Sequence, residues 1–322
     1  MSKYLITGGS GFIGTNLVDY HILRGDSVLN FDIVSPKDFN QNRYFKKINI
    51  LDESELLQAI KKFNPDYIYH LGARTDLDGL NLHDYRANTT GLINLIKCCD
   101  ELENLQRVIF ASSRLVCKIG YEPLNDHDYC PTTHYGESKM HGEEVVKNLK
   151  NKNWDWCIVR PTSIWGPWFS TPYKNFFDLV QRGLYFHPYN YEIFKSFGYV
   201  GNTVYQLEKL MHAKSEFVNG KVFYLGDYEP INMHTFAVEI ANTFNVRKPL
   251  IVPLWTLRIL AIVGNILKYF KLPAPLTTFR LNNLITPMTH NFANLKEVVG
   301  NLPFTTKEGI VNTISWIKDG KQ

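Results

Sequence analysis

The stretch Thr7-Gly8-Gly9-Ser10-Gly11-Phe12-Ile13-Gly14 decides how the first half of the chain folds. It follows an apolar run from Tyr4 and opens a segment of helical period, which is the context that gives a glycine motif meaning. Gly8 permits a tight turn, Gly11 lets the backbone approach a pyrophosphate, and Gly14 allows close packing of helix and strand. A plain glycine turn is the alternative, but the context predicts a dinucleotide site at the helix N-terminus.

An acidic residue stands at the end of the second predicted strand. Asp32 follows Gly14 by 18 residues, where a carboxylate can accept both ribose hydroxyls of the adenosine and repel a 2′-phosphate. The sequence therefore predicts NAD rather than NADP. Lys37 lies close enough to weaken this preference, although an ordinary solvated lysine is the simpler interpretation.

Apolar runs and helical segments alternate from residue 1 to about 165, which predicts an α/β fold with a Rossmann-type doubly wound parallel sheet. The predicted strands are Tyr4–Thr7, Ser27–Asp32, Lys47–Ile50, Tyr67–Leu71, Arg107–Ala111 and Trp156–Val159, and the helices are Phe12–Arg24, Glu53–Phe63, Tyr85–Leu102 and Tyr135–Leu149. Residues 1–165 are expected to bind NAD, with a later return of the chain near 195–225. Residues 166–322 are expected to form mainly a smaller C-terminal α/β substrate lobe.

Composition excludes several classes of protein. In 322 residues the formal charge is +4, and no run of Lys or Arg is long enough to bind nucleic acid. The five cysteines are odd in number and lack CxxC spacing, which argues against a disulfide framework and against a metal site. Tyr4–Ile6 meets the glycine turn too early for a signal peptide, so we expect a cytoplasmic protein.

The most hydrophobic stretch is Leu254–Phe270. It carries Arg258, Asn265 and Lys268, and it falls short of the roughly 20 apolar residues that a bilayer span requires. We therefore expect no membrane span. A helix packed in the protein is the main interpretation, and a helix lying on a membrane surface is the alternative.

Three residues form a candidate catalytic set. Tyr135 and Lys139 are four apart at the start of a predicted helix, so their side chains share one face. An ammonium group beside a phenol is expected to lower the tyrosine pKa towards neutrality and to let Tyr135 act as a general acid or base. Ser113 follows a predicted strand, at the edge where such sheets bind ligands, and can share the same substrate proton.

The chain resembles the extended short-chain dehydrogenase/reductases, specifically their sugar-nucleotide epimerase and dehydratase branch. The likeness covers nearly the whole length. It rests on TGGSGFIG at the start, HLGAR at His70–Arg74, ANTTG around Asn88 and Gly91, ASS at Ala111–Ser113, YGESK at Tyr135–Lys139 and RPTSIWGP at Arg160–Pro167.

The resemblance implies further contacts. Asn88 would help to order the site, and Lys139 would also reach the nicotinamide ribose. The other residues expected at the cofactor are Phe12, Ile13, Asn49, Ile50, Leu71, Gly72, Ala73, Ala111 and Pro161. The residues expected at the substrate are Arg74, Ser112, Ser113, Arg114, Tyr135, Ser163 and Lys195.

The sequence also departs from the family pattern. Family dehydratases carry an acidic pair directly after the catalytic Ser or Thr, where this chain has Arg114 and Leu115, so sugar dehydration is disfavoured. Ser163 replaces a frequent Asn and Lys195 replaces an Arg near the diphosphate, which leaves the substrate open. The basic residues considered for a diphosphate are Arg160, Arg182, Lys195 and Arg280.

The leading hypothesis is NAD-dependent epimerisation of a nucleotide-activated sugar, at C4 through a 4-keto intermediate. A net oxidoreductase, such as a 4-ketoreductase of sugar nucleotides, uses the same residues and remains the main alternative. A non-catalytic NAD-binding regulator is the third hypothesis. The resemblance also implies a homodimer paired through Tyr85–Leu102 and Tyr135–Leu149.

Overall fold

Strands and helices alternate through the first half of the chain, as the apolar pattern predicts. The computed structural model describes residues 2–171, 173–270, 272, 274 and 276–320. Its strands are β1 (Lys3–Thr7), β2 (Ser27–Asp32), β3 (Phe45–Lys47), β4 (Tyr67–His70), β5 (Arg107–Ala111), β6 (Asp155–Pro161), β7 (Ser163–Trp165), β8 (Phe186–Pro188), β9 (Phe194–Lys195), β10 (Phe197–Tyr199), β11 (Lys221–Leu225), β12 (Ile231–Asn232) and β13 (Leu250–Val252).

The helices cover both faces of the sheet and the second lobe. They are α1 (Phe12–Leu23), α2 (Glu53–Phe63), α3 (Arg86–Asp100), α4 (His134–Lys147), α5 (Tyr173–Gln181), α6 (Val200–His212), α7 (Ser215–Val218), α8 (Met233–Phe244), α9 (Leu254–Tyr269), α10 (Thr278–Ile285), α11 (Ala293–Val299) and α12 (Thr306–Lys318). Short 3-10 turns cover Phe39–Tyr44, Leu82–Tyr85 and Arg114–Val116.

A seven-stranded parallel sheet is the centre of the molecule, in the order β11-β6-β5-β4-β1-β2-β3. Side chains alternate between its faces, so Leu5 packs with α2, α3 and α4 while Ile6 packs with α1, α6 and α11. Thr7 of β1 pairs with His70 of β4, and the strand order reverses at this point. Doubly wound sheets bind ligands at such a switch point. The predicted fold class is confirmed.

The third predicted strand is misplaced. The structure has β3 at Phe45–Lys47, where it pairs with Asn30–Asp32 of β2, and the predicted Lys47–Ile50 shares only Lys47 with it. Ile48 and Ile50 are buried and alternate like strand residues. Ile48 N still donates to Asp32 O at 3.0 Å, but Asp32 is the last residue of β2, so the strand pairing ends there.

The chain returns to the sheet after residue 195. Strand β11 extends the sheet beside β6, and α6 packs against α1. Local sequence does not mark β11 as the seventh strand of the sheet, because its place depends on pairing with β6, about sixty residues earlier. The division into two lobes at residue 165 stays a prediction.

A separate aromatic core holds the rest of the chain together. Trp165, Phe177 and Phe236 are buried side by side between β7, α5 and α8. The most hydrophobic stretch forms α9, of which only Leu257, Ala261 and Gly264 are buried. The expectation of a packed helix is therefore wrong for most of its surface. Within the described residues, every helix is too short or too polar to cross a bilayer.

Candidate active site

The glycine turn forms a cradle at the carboxyl edge of the sheet. Gly8 has φ of 73°, and its N–H donates to Phe31 O at 2.8 Å. A Cβ on Gly8 would lie 2.6 Å from Gly72 N, and one on Gly14 would overlap Gly8 O. Gly11 is the N-cap of α1, where it supplies no capping side chain, so the first N–H groups of the helix face the turn. This cradle fits the pyrophosphate of a dinucleotide.

Asp32 lies beside this cradle. Its Oδ2 accepts from Ser10 N at 3.1 Å, and its Oδ1 accepts from Ile33 N at 2.7 Å. The carboxylate is thus fixed next to the turn, in the position expected for an adenosine ribose. Lys37 donates to Trp168 O at 3.2 Å, which holds its ammonium group on another partner.

The loop after β4 forms the facing wall. Leu71, Gly72 and Ala73 are half-buried there, and Gly72 N donates to Thr7 Oγ1 at 3.2 Å. Thr7 Oγ1 also lies 2.7 Å from His70 Nδ1. Burial, aided by the charge of Lys139, lowers the pKa of His70 to about 3. His70 is therefore a neutral packing residue.

The other predicted cofactor residues surround the same edge. Phe12 and Ile13 are half-buried at the start of α1, and Ile50 is buried against Gly91 of α3. Asn49 is exposed just beyond β3, and Pro161 ends β6. The structure places all of them at the carboxyl side of the sheet, and their contacts with NAD stay a prediction.

Ser113 and Tyr135 meet at this edge. Thr133 caps α4 by accepting from Gly136 N at 3.0 Å, which starts the helix with Tyr135 in its first turn. Ser113 lies close enough to the phenol of Tyr135 to oppose the rise in its pKa. Ser113 Oγ also accepts from Leu115 N at 3.1 Å, so its own proton can be donated to a phenolate or a substrate oxygen.

The ionisation of Tyr135 corrects one expectation. Burial raises the pKa of Tyr135 to about 12, against the opposing effects of Ser113 and Arg114. Lys139 Nζ donates to Ala111 O at 2.7 Å, and burial lowers the pKa of Lys139 to about 8. The expected fall of the Tyr135 pKa towards neutrality is not found, because desolvation of the buried phenolate outweighs the effects of Ser113 and Arg114 that favour it.

Behind Tyr135 and Lys139 lies a buried ion pair that sequence reasoning missed. Ser112 Oγ donates to Glu143 Oε1 at 2.6 Å, and Arg160 Nη2 donates to Glu143 Oε2 at 2.7 Å. The hydroxyl of Ser112 and the guanidinium of Arg160 are thus bound inside the protein, which does not support their predicted contacts with substrate. A signal existed, because Glu143 continues the four-residue spacing of Tyr135 and Lys139.

Arg74 and Asn88 join the facing wall to α4. Asn88 Oδ1 accepts from Arg74 N at 2.8 Å, and its Nδ2 donates to Ser138 Oγ at 2.9 Å. Asn88 therefore bridges the loop after β4 and the helix that carries Tyr135. The Arg74 guanidinium donates to both carboxylate oxygens of Asp76, at 2.8 and 2.9 Å, so it is paired within its own loop.

The remaining predicted substrate residues lie on the other side of Tyr135. Ser163 is buried and accepts from Tyr173 Oη at 3.1 Å, and Tyr173 acts on the ionisation of Tyr135. Lys195 Nζ donates to Asn283 O at 2.7 Å and Thr286 O at 3.0 Å, and burial and then Arg114 lower its pKa to about 8.

Arg114 lies within electrostatic range of three side chains of this region. Its charge opposes the rise in the pKa of Tyr135 and contributes to the lowered pKa of Lys195 and of His290. In His290 burial is the larger cause. Arg114 therefore acts electrostatically both on the candidate catalytic tyrosine and on side chains of the second half of the chain.

The cradle, Asp32 and the pair of Ser113 and Tyr135 define a dinucleotide-binding enzyme of the Rossmann type. Residues 4–184 match the family described as NAD dependent epimerase/dehydratase. The chain belongs to this family, and its cofactor is NAD. The predicted resemblance is confirmed.

Two curated proteins are similar to most of this chain. A curated relative from Escherichia coli O157:H7, N-acetyl-alpha-D-glucosaminyl-diphospho-ditrans,octacis-undecaprenol 4-epimerase, is 26% identical over 254 residues, which is 76% of this chain and 73% of the relative. Sterol-4-alpha-carboxylate 3-dehydrogenase, decarboxylating, from Homo sapiens is 28% identical over 261 residues, 78% of this chain and 69% of the relative.

The fold is shared with a solved UDP-glucose 4-epimerase from Thermotoga maritima. The two structures superpose with a TM-score of 0.76 at 18% identity, over 99% of this chain and 100% of the other. At this identity the match shows the fold alone.

Proposed function

We propose that this enzyme epimerises a nucleotide-activated sugar at C4, through a transient 4-keto intermediate. The placement of Ser113 after β5 and of Tyr135 in the first turn of α4, at the same edge of the sheet as the glycine cradle, carries the proposal. Relatives named as 4-epimerases support the position. Arg114 and Leu115 follow Ser113, so the place of a dehydratase's acidic pair holds no carboxyl group that could assist elimination.

Residues of the chain itself remove and return the proton of the C4 hydroxyl group. When bound by the cradle, Asp32 and Lys139, NAD would accept the C4 hydride and return it to the opposite face of the sugar. Tyr135 removes the proton of the C4 hydroxyl and later gives it back, so the cycle has no net redox change. Ser113 hydrogen-bonds the same oxygen. Ser113 and Arg114 favour the phenolate that this step requires, because both act against the rise in the pKa of Tyr135.

Arg114 is also the best placed cation for the diphosphate. Arg160 is paired with Glu143 and Arg74 with Asp76, whereas Lys195 holds the end of α10. The charge of Arg114 acts on both Tyr135 and Lys195. A guanidinium group binds phosphate oxygens in a bidentate manner. Ser163 would contact the sugar on the nicotinamide side.

Incubation with sugar nucleotides, without added cofactor, tests the proposal. Purified protein is mixed with UDP-, GDP- or dTDP-sugars, and products are separated by chromatography. We expect a C4 epimer to form with catalytic turnover. Product that requires stoichiometric NADH or NADPH would instead support the oxidoreductase, which relatives named as dehydrogenases make the second candidate.

A lipid-linked sugar diphosphate belongs in the same assay. The curated relative from Escherichia coli O157:H7 is named for such a compound. If only the lipid-linked sugar is turned over, the proposed C4 epimerisation stands, but the group attached to the diphosphate is a lipid and not a nucleoside. A homodimer through α3 and α4 and a cytoplasmic location stay predictions, the first of which sedimentation velocity measures.

A further inference from the structure

Helix α9 turns its apolar face away from the protein. Its buried residues are Leu257, Ala261 and Gly264, which lie along one side. Six apolar side chains are each more than half exposed: Trp255, Ile259, Ile262, Ile266, Tyr269 and Phe270. At roughly 100° per residue these six fall within an arc of about 100°, opposite the buried side. A helix facing water carries polar residues there.

The inner side of α9 is fixed to its neighbour, so the outer face cannot simply turn inward. A Cβ on Gly264 would overlap Leu276 O, which shows how closely the helix approaches the following segment. Asn265 Nδ2 donates to Thr278 Oγ1 at 2.7 Å, and Thr278 N donates back to Asn265 Oδ1 at 3.1 Å. Leu257, Ala261 and Leu281 form a small core between α9 and α10.

The stretch of sequence that contains α9 carries charge of one sign. Residues 240–296 contain no Asp or Glu and seven basic residues: Arg247, Lys248, Arg258, Lys268, Lys271, Arg280 and Lys296. The whole chain is nearly balanced, with 35 Lys or Arg and 31 Asp or Glu. Arg258 is exposed on α9 at the border of the apolar stripe, and Lys268 is exposed on the opposite side of the helix. This region therefore complements a negatively charged surface.

We propose that α9 docks the enzyme on an anionic lipid surface, with its apolar stripe lying in the headgroup region. Interfacial helices combine an apolar face rich in Trp, Phe and aliphatic residues with flanking Lys and Arg. Trp255 at the start and Tyr269 at the end of α9 are of the type that anchors at a lipid interface. Basic residues near the surface add attraction to anionic headgroups.

The helix is also joined to the candidate substrate site. Lys195 of β9 donates to Asn283 O and Thr286 O at the end of α10, the helix against which α9 packs. Docking through α9 would thus hold the substrate side of the enzyme at a fixed height above the lipid surface. This inference does not depend on the proposed reaction, because binding to lipid is measured without substrate.

Co-sedimentation of the full chain with vesicles tests the proposal. One set of vesicles contains phosphatidylglycerol and phosphatidylcholine in equal parts, and the other contains phosphatidylcholine alone. We expect wild type to sediment with the anionic vesicles, less so at high salt. Ile259→Gln with Ile262→Gln should weaken this binding roughly tenfold or more, since both side chains enter the lipid.

A matched control separates this effect from general hydrophobicity. Leu23→Gln with Leu124→Gln removes two apolar side chains that are also highly exposed, on other parts of the surface, and should leave vesicle binding unchanged. Arg258→Glu should reduce the preference for anionic vesicles.

Two results would overturn the proposal. The first is wild-type protein that stays in the supernatant with both vesicle types. The second is an oligomer that the Ile259 and Ile262 variant breaks to a monomer in sedimentation velocity, without any binding of wild type to vesicles. That second result would assign the face to another copy of this chain. Activity towards a water-soluble sugar nucleotide, measured in parallel, reports on the proposed reaction separately.

Discussion

Tyr135 is a residue whose chemistry depends on its surroundings more than on its type. Burial keeps the phenol protonated, with a pKa of about 12, while Ser113 and Arg114 favour its ionised form. The same burial lowers the pKa of Lys139 to about 8. The site therefore holds two groups whose pKa values have moved apart, to about 12 and about 8, and strongly shifted groups gather at functional sites.

Replacement of Tyr135 tests the acid and base role directly. Tyr135→Phe removes only the phenol oxygen, so we expect turnover to fall about 10²-fold or more while NAD binding is kept. Steady-state kinetics and a fluorescence titration with NADH measure the two effects.

A tyrosine at the opposite end of the sheet is the control. Tyr67 begins β4 and its Oη donates to Gln106 Oε1 at 2.7 Å, so Tyr67→Phe should leave turnover unchanged. Equal turnover in wild type and Tyr135→Phe would remove Tyr135 from the mechanism.

Helix α4 places the residues of the site on one face, four residues apart. Tyr135, Lys139 and Glu143 are buried along it, and Glu143 binds the guanidinium of Arg160 from β6. Burial opposes ionisation of Glu143, but the hydrogen bonds and charge of Arg160 outweigh it and lower the pKa of the carboxyl group. The ion pair thereby fixes the helix against the sheet below the catalytic residues.

We expect Glu143→Gln to destabilise the protein by about 3 kcal/mol, because it leaves the charge of Arg160 buried without its counterion. Urea unfolding measures the free energy of unfolding. The neighbouring Glu144 is exposed and contacts His141, so Glu144→Gln should change stability by no more than about 0.5 kcal/mol. Equal losses in the two variants would contradict a structural role for the buried pair.

Over the whole molecule, buried thiols and phenols determine the response to alkaline pH. Burial raises the pKa of Cys98 to about 11 and of Cys157 to about 12, both from 9.0, and Cys99 shifts in the same direction. Burial also raises the pKa of Tyr69 and Tyr185. These groups keep their protons in the folded state at pH values where the unfolded chain loses them.

The free energy of unfolding should therefore fall as pH rises above about 9, with a slope of about 1.4 kcal/mol per pH unit for each proton retained on folding. Their stabilisation is complete below the unfolded pKa values of 9.0 and 10.0 and is lost up to the folded values. The lowered pKa values of Lys139 and Lys195 have the opposite effect on the free energy of unfolding above about pH 8, because the unfolded chain keeps these two protons to higher pH. Fewer groups are involved, so the fall is expected to dominate.

Urea unfolding between pH values of about 7 and about 11 measures this slope. Cys157→Ala removes one titrating thiol, so its slope above pH 9 should be shallower by one proton, whatever the variant costs in stability. A free energy of unfolding that stays level across this range would contradict the prediction.

Local patterns along the sequence determined the core of the fold and the centre of the site. The glycine turn, Asp32 and the spacing of Tyr135 and Lys139 need only a few neighbouring residues to take effect, since turn geometry and helix periodicity are local. Strands Ser27–Asp32 and Arg107–Ala111 and helix Glu53–Phe63 were predicted with the observed bounds for the same reason.

Tertiary structure alone decided where the polar groups found their partners. Ser112 and Arg160 turn to Glu143, and the phenol of Tyr135 keeps its proton, because burial and distant contacts set the cost of each charge. Tertiary packing likewise decided which side of α9 faces outward. Its sequence showed only a hydrophobic helix, and the close approach of Gly264 to Leu276 left the apolar side uncovered by the described residues of the chain.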